Sequence, residues 1–159
     1  MRTLPWRSPG NLPAFNKAMH QTLRHILSSR PVVCDGGWGT QLQAAGLSGG
    51  ECPDSWNLSH PEDVQHVARQ YVEAGSTIIL TNTFRGNRIA LKSYGLADQF
   101  ISINKSGVSL SRAAAQNSAT VFASMGPTGK LLMMGDITED EVFMAFSEQA
   151  KILASVGAA

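Results

Sequence analysis

Asp35 ends a short β-branched run and is followed at once by two glycines, in the stretch VVCDGGWGT from Val32 to Thr40. A carboxylate carried out of a buried strand can accept hydrogen bonds from a ligand ammonium group. Gly36 and Gly37 let the backbone come close to such a ligand and present N–H donors to an anion. An acid beside free amides suits a zwitterion such as an amino acid. The plainer alternative is that Asp-Gly-Gly makes only a tight turn. Thr81, Asn82 and Thr83 follow a second apolar run, and Gly126, Pro127 and Thr128 follow a third. The two threonines offer hydroxyls, although threonine is common in strands in any case. In parallel α/β architectures ligands sit where the carboxyl ends of strands converge, so these residues and the Asp-Gly-Gly group are expected on one rim.

Other reactive side chains carry less. His60 and His66 stand six apart on a helical stretch, a spacing that does not favour a shared metal. Cys34 lies inside the first run and reads as a small buried hydrophobe. Cys52 sits in a glycine-rich loop with no partner at ligand spacing. No Walker loop, dinucleotide fingerprint, nucleophile elbow or Cys-x-x-Cys is present. Two cysteines make no disulfide framework, which fits a reducing compartment and a cytoplasmic location. Net charge is +1 over 159 residues, which argues against nucleic-acid or membrane-surface binding driven by bulk charge. The charge is uneven: residues 1–34 carry +5, with no acid, and the rest carries −4. The acid-free leader reads as a frayed, proline-containing extension before a helix near residues 16–29, with an organellar transit peptide as the alternative.

Three strand-like runs must position the rim: PVVCD (31–35), STIILTN (76–82) and ATVFASM (119–125). Each is nearly continuous in apolar or β-branched residues, as in strands buried on both faces. Helices separate them. Ser59-x-x-Glu62 has capping-box spacing, Val64, Val67, Ala68, Tyr71 and Val72 follow at helical intervals, and Gly75 is a natural stop. Phe100, Ile103, Gly107, Leu110 and Ala114 mark a second amphipathic helix. A third opens at Thr138-x-x-Glu141, buries Val142, Phe146 and Leu153, and stops at Gly157. Strand ends near 35, 81 and 125 give an α/β alternation of about three βα units with parallel strands. A fourth strand on this rhythm would fall past Ala159, and the sheet is expected to be incomplete, with exposed edges that favour self-association.

At DGGWGTQLQAAGL (35–47), ECPDSWNLSHPEDV (51–64), YVEAGSTIILTNTFRGNRIAL (71–91), IN (103–104) and SMGPTGKLLMMGDITEDE (124–141), the chain resembles the homocysteine S-methyltransferase family. This family includes betaine–homocysteine methyltransferases and cobalamin-dependent methionine synthases. The resemblance implies a (β/α)8 TIM barrel, here partial, with residues 1–30 as an N-terminal helical extension and 31–159 as a truncated homocysteine-binding domain. It implies transfer of a methyl group to the homocysteine thiol, giving methionine. The donor is betaine, S-methylmethionine or a methylcorrinoid. Asp35 would hold the substrate amino group, while the Gly36 amide and Thr81 hydroxyl would receive its carboxylate, within a substrate-binding set of Asp35, Gly36, Gly37, Thr81, Asn82 and Thr83. Family members use zinc, held by three cysteines, to lower the substrate thiol pKa. Those ligands belong to later motifs, and neither Cys34 nor Cys52 matches them. Trp38 stands where many members carry a smaller or more flexible residue, which would reshape the pocket floor. The chain by itself is therefore expected to be inactive. The alternative is a non-catalytic amino-acid-binding remnant, or a module that completes a barrel with a partner.

Overall fold

A computed structural model of the chain describes residues 21–28 and 32–158. Helix α1 (Gln21–Leu27) covers part of the helix expected over 16–29, whose other residues lie outside or at the edge of those described. It belongs to a unit separate from Val33–Ala159, which holds the rest of the structure.

In the larger unit, α2 (Trp38–Ala44) is followed by a 3-10 turn at Pro53–Ser55, α3 (Trp56–Ser59) and α4 (Pro61–Glu73). Strand β1 (Ile78–Leu80) leads into α5 (Arg88–Lys92) and α6 (Phe100–Ala115). Strand β2 (Thr120–Phe122) leads into α7 (Glu139–Ser155). The two strands pair in parallel, with Ile78 opposite Thr120 and Leu80 opposite Phe122. The first predicted strand is reduced to a single parallel bridge, Cys34 to Ile78, flanked by hydrogen bonds from Asp35 N to the Ile78 carbonyl and from Thr77 N to the Val33 carbonyl. Three parallel segments thus run side by side with β1 in the middle. All three are shorter than the apolar runs suggest, because side chains take over the ladder at their tips.

Several helix ends follow from local chemistry. Thr138 and Glu141 form the expected capping box at the start of α7. Gly46, Gly75 and Gly157 have φ of +115, +99 and +83°, and each ends a helix with paired back-bonds. At the first of these Leu47 N bonds to the Leu42 carbonyl, and the two side chains share one core cluster. The capping box expected at Ser59 is not formed. α3 ends on Ser59, α4 begins at Pro61, and the Ser59 hydroxyl instead meets the Ser55 carbonyl and His60 Nδ1. Proline after His60 restarts the helix without a side-chain cap.

α4 and α6 cover one side of the strands. Val64, Val67 and Ala68 of α4 are buried, as are Phe100, Ile103, Gly107 and Ala114 of α6, matching the periodicity in sequence, with Leu110 half-buried. Trp38 and Tyr71 pack against two core clusters at once, one built on Leu42, Trp56 and Val64 and the other on Ala68, Ile79 and Val121. Arg88 of α5 holds Glu148 of α7 through two hydrogen bonds and lies 4.5 Å above the Phe100 ring. Each partner's side chain is 42% exposed, so this pair adds little stability. Cys34 is exposed, not the small buried hydrophobe its place in an apolar run suggests, since only the bridge covers it. Among the described residues no helix is long and apolar enough to cross a membrane.

The contrast between the two Thr/Ser-x-x-Glu sites is measurable. Thr138→Ala should lower unfolding free energy by roughly 1 kcal/mol, the usual cost of losing an N-cap. Ser59→Ala should stay within about 0.5 kcal/mol. Urea denaturation of both variants checks this; equal losses would contradict the cap assignment.

Candidate functional site at the strand tips

Asp35 sits where its own segment stops pairing, and its carboxylate continues the ladder. Oδ2 accepts the Leu80 N–H at 2.7 Å and the Trp38 indole N–H, also at 2.7 Å. Oδ1 is enclosed and has no hydrogen-bond partner among the described residues. The neighbouring Gly36 and Gly37 are exposed, and neither amide N–H reaches an acceptor among the described residues. A Cβ on Gly36 would lie 3.2 Å from the Tyr71 hydroxyl, so this turn leaves little room for a side chain there. Gly37 precedes α2, whose first turn has no side-chain cap. One oxygen of the carboxylate thus completes the backbone, as in a turn, and the other is left over.

Thr81 and Thr83 lie at the next tip, fully or almost fully buried. Ser124 N donates to Thr81 Oγ1 at 3.0 Å, and Thr83 Oγ1 donates to the Ser124 carbonyl at 2.8 Å. The two hydroxyls are 2.6 Å apart. With the Thr83 proton spent on Ser124, the Thr81 proton points to Thr83. This closed ring ties the tip of β1 to the chain beyond β2. Asn82 is turned away, donating to the Pro53 carbonyl at 2.9 Å and to Asn57 Oδ1 at 3.0 Å. The structure therefore brings Asp35, Thr81 and Thr83 to adjacent tips through Leu80 and Ser124. The polar side chains of Asn82 and Thr83 are spent on internal bonds.

Gly126 N donates to the Phe84 carbonyl at 2.7 Å, and a Cβ there would lie 2.5 Å from that same oxygen. Glycine is required by this approach. Pro127 accepts from Asn87 Nδ2 at 3.3 Å, and the Thr128 hydroxyl accepts the Lys130 N–H at 3.2 Å, so this loop is braced from below. Sequence reasoning missed the amides underneath. Asn57 Nδ2 bonds the Asn82 carbonyl, Asn104 Nδ2 the Gly86 carbonyl and Gln149 Nε2 the Thr83 carbonyl, at 2.7, 2.7 and 2.8 Å. The available signal was polar residues on buried helix faces, such as Asn104 beside Ile103.

Asp54 was missed as well. It is 1% exposed and accepts the Arg85 N–H at 3.0 Å. Burial pushes its carboxyl up from 3.8 to about 7, against the lowering pull of the Arg85 amide, its own backbone amide and the Arg85 charge. Nearby Cys52 is buried with Leu91, Phe100 and Ile103; burial first, and then the Asp54 charge, raises its thiol pKa. His60 and His66 are exposed, the former stacked on Trp56 at 4.2 Å. Among the described residues no group of three or more His, Cys, Asp or Glu could hold a metal ion. A cleft of about 920 Å³ between α5 and α7, lined by Arg88, Lys92, Lys130, Met144 and Lys151 among others, includes none of the tip residues Asp35 to Gly37 or Thr81 to Thr83.

The model of the homocysteine S-methyltransferase family matches residues 32–159, and the chain belongs to that family. The methionine synthase of Mycobacterium tuberculosis (strain ATCC 25618 / H37Rv) is 33% identical over 154 residues, covering 87% of this chain and 13% of that protein. That of Mycobacterium leprae (strain TN) is 34% identical over 152 residues, covering 86% and 12%. The homocysteine methyltransferase MmuM from Escherichia coli, in its oxidized form, superimposes with a TM-score of 0.73 at 24% identity, over 87% of this chain and 55% of that one. Its metallated form gives a TM-score of 0.71 at 24% identity, over 86% and 54%. The chain thus has the fold of part of that enzyme, spanning about half its length and about an eighth of the curated relatives.

Asp54 generates a pH prediction. Between 3.8 and about 7 the folded protein keeps a proton that the unfolded chain has released. Stability should therefore fall as pH rises through that window, by up to roughly 1.4 kcal/mol per pH unit. Asp54→Asn keeps an acceptor for the Arg85 amide and removes the titration. Denaturation at pH 5 and 7.5 should show a smaller pH dependence in the variant; an identical slope would place this proton elsewhere.

Proposed function

We propose that the chain supplies the amino-acid grip of a homocysteine S-methyltransferase, whose reaction moves a methyl group onto the homocysteine thiol to give methionine. Family membership supports the reaction class. The observation that carries the role is the enclosed, unpartnered Asp35 Oδ1 beside two unused amides. In this reading Oδ1 takes the substrate ammonium group and the Gly36 and Gly37 amides take its carboxylate. Thr81 can add a hydrogen bond only by turning its proton away from Thr83, so it is a secondary donor. Asn82 and Thr83 shape the loop from behind.

The three parallel segments are read as consecutive strands of a partial (β/α)8 barrel. The free side of β2, and the exposed apolar residues Leu131, Leu132, Met133 and Met134 with Phe143 and Met144 on α7, suit burial against further barrel units. The described residues do not fit the family's zinc. Exposed Cys34 and buried Cys52 converge with no other donors, and the raised pKa of Cys52 keeps it a thiol. A substrate thiol without an activating cation has a pKa near 8.5 and is mostly protonated at neutral pH. Methyl transfer by this chain alone is therefore not expected, whether the donor is betaine, S-methylmethionine or a methylcorrinoid. The second reading, a binding module that joins a barrel-completing partner or a second copy, draws on the same exposed apolar residues.

Calorimetry with L-homocysteine tests the grip. Asp35→Asn can keep its amide oxygen on Leu80 and Trp38 while turning an NH2 group toward the ligand ammonium. Binding should weaken by more than about tenfold with little change in melting temperature. Unchanged affinity would remove Asp35 from the site. Methionine formation by the purified chain at a rate rising with added zinc would overturn the expected inactivity.

A further inference from the structure

We propose that Trp38 is a positioning residue for the ammonium grip, holding one oxygen of Asp35 so that the other is presented to a primary ammonium group. This rests on the reading of Asp35 as the substrate's amino-group partner.

The geometry leads there in three steps. First, Asp35 Oδ2 receives two N–H donors at 2.7 Å, the Trp38 indole and the Leu80 amide. A carboxylate is planar, so two donors converging on one oxygen set the position of the other. With the Leu80 amide alone, either oxygen can serve it, and the carboxylate is free to exchange them. Second, the indole is itself held. Trp38 is half-buried and packs against both core clusters that flank α4, alongside Tyr71. The Tyr71 hydroxyl also reaches the Gly37 carbonyl at 3.4 Å. The indole is thus held by the core as well as by the turn that carries both it and Asp35. Third, Oδ1 is enclosed and without a partner, a costly state for a carboxylate oxygen unless something completes it. A single acceptor of this kind suits a compact N–H donor such as a primary ammonium group.

The test uses the full chain and two ligands: L-homocysteine and 4-sulfanylbutanoate, which keeps the thiol and carboxylate but lacks the amino group. Trp38→Phe keeps an aromatic ring and removes the donor. It should weaken homocysteine binding roughly tenfold while changing 4-sulfanylbutanoate binding by less than about twofold. A merely structural role would weaken both alike, and that result, or no effect on either, overturns the proposal. Asp35→Asn run in parallel separates the two readings. If it abolishes the preference for homocysteine while Trp38→Phe does not, only the Trp38 inference fails; if neither the parent nor any variant prefers homocysteine, both fail. Should Trp38→Phe not fold, the parent's Trp38 indole N–H resonance, identified by its proximity to the Leu80 amide, gives a second readout. It should shift with homocysteine and stay in place with 4-sulfanylbutanoate; equal response to both counts against the assignment.

Discussion

The chain from Leu80 to Gly86 leaves the sheet with Thr81, Asn82 and Thr83 buried, and much of the surrounding packing follows from how its backbone polar groups are met. Most of them have an identifiable partner. Leu80 N goes to Asp35 and its carbonyl to Ser111; Thr81 N goes to the Phe122 carbonyl, and the Asn82, Thr83 and Gly86 carbonyls go to Asn57, Gln149 and Asn104. Phe84 O takes the Gly126 amide and Arg85 N takes Asp54. A buried backbone group without a partner costs about as much as a lost hydrogen bond. This segment is therefore pinned by side chains drawn from α3, α6, α7 and two loops, and the loop order of the fold is built around it.

That arrangement explains why the strands are so short. Where a longer ladder would place carbonyls, the structure places a carboxylate at Leu80 and a hydroxyl at Ser124. A side chain at a strand tip can end the pairing with one atom and leave another atom over. Asp35 is the clear instance, one oxygen used and one left. Gln149 Oε1 is also buried without a partner, but it lies under the loop, on a side chain whose nitrogen is already committed to Thr83 and Asn104. The two orphan oxygens differ in place: one stands at the rim beside exposed glycines, the other is sealed in the core.

Likeness to a methyltransferase over about half its chain gives these features a shared context. In the proposed reading, gripping the amino-acid end of a substrate and activating its sulfur are separate tasks. The described residues contain candidates for the first task and no converging donor set for the second. The exposed leucine, methionine and phenylalanine side chains past β2 form an apolar surface that is stable in water only at a cost.

Local chemistry carried by the sequence alone determined the three long helices α4, α6 and α7. The 3.6-residue spacing of Val64, Val67 and Ala68, the Phe100–Ile103 face, the Thr138–Glu141 box and the glycine stops are all present as read. These depend on neighbours within a few residues, so they are written in consecutive letters. Sequence also singled out Asp35 and its glycines, because an acid between a β-branched run and flexible backbone is unusual at short range. What it could not determine were pairings across 25 to 66 residues, such as Asn57 with Asn82 and Gln149 with Thr83. It likewise missed the failed cap at Ser59, the exposure of Cys34 and the burial of Asp54. Those outcomes depend on which segments the tertiary fold brings together, and hydrogen-bond satisfaction and desolvation act only once they meet.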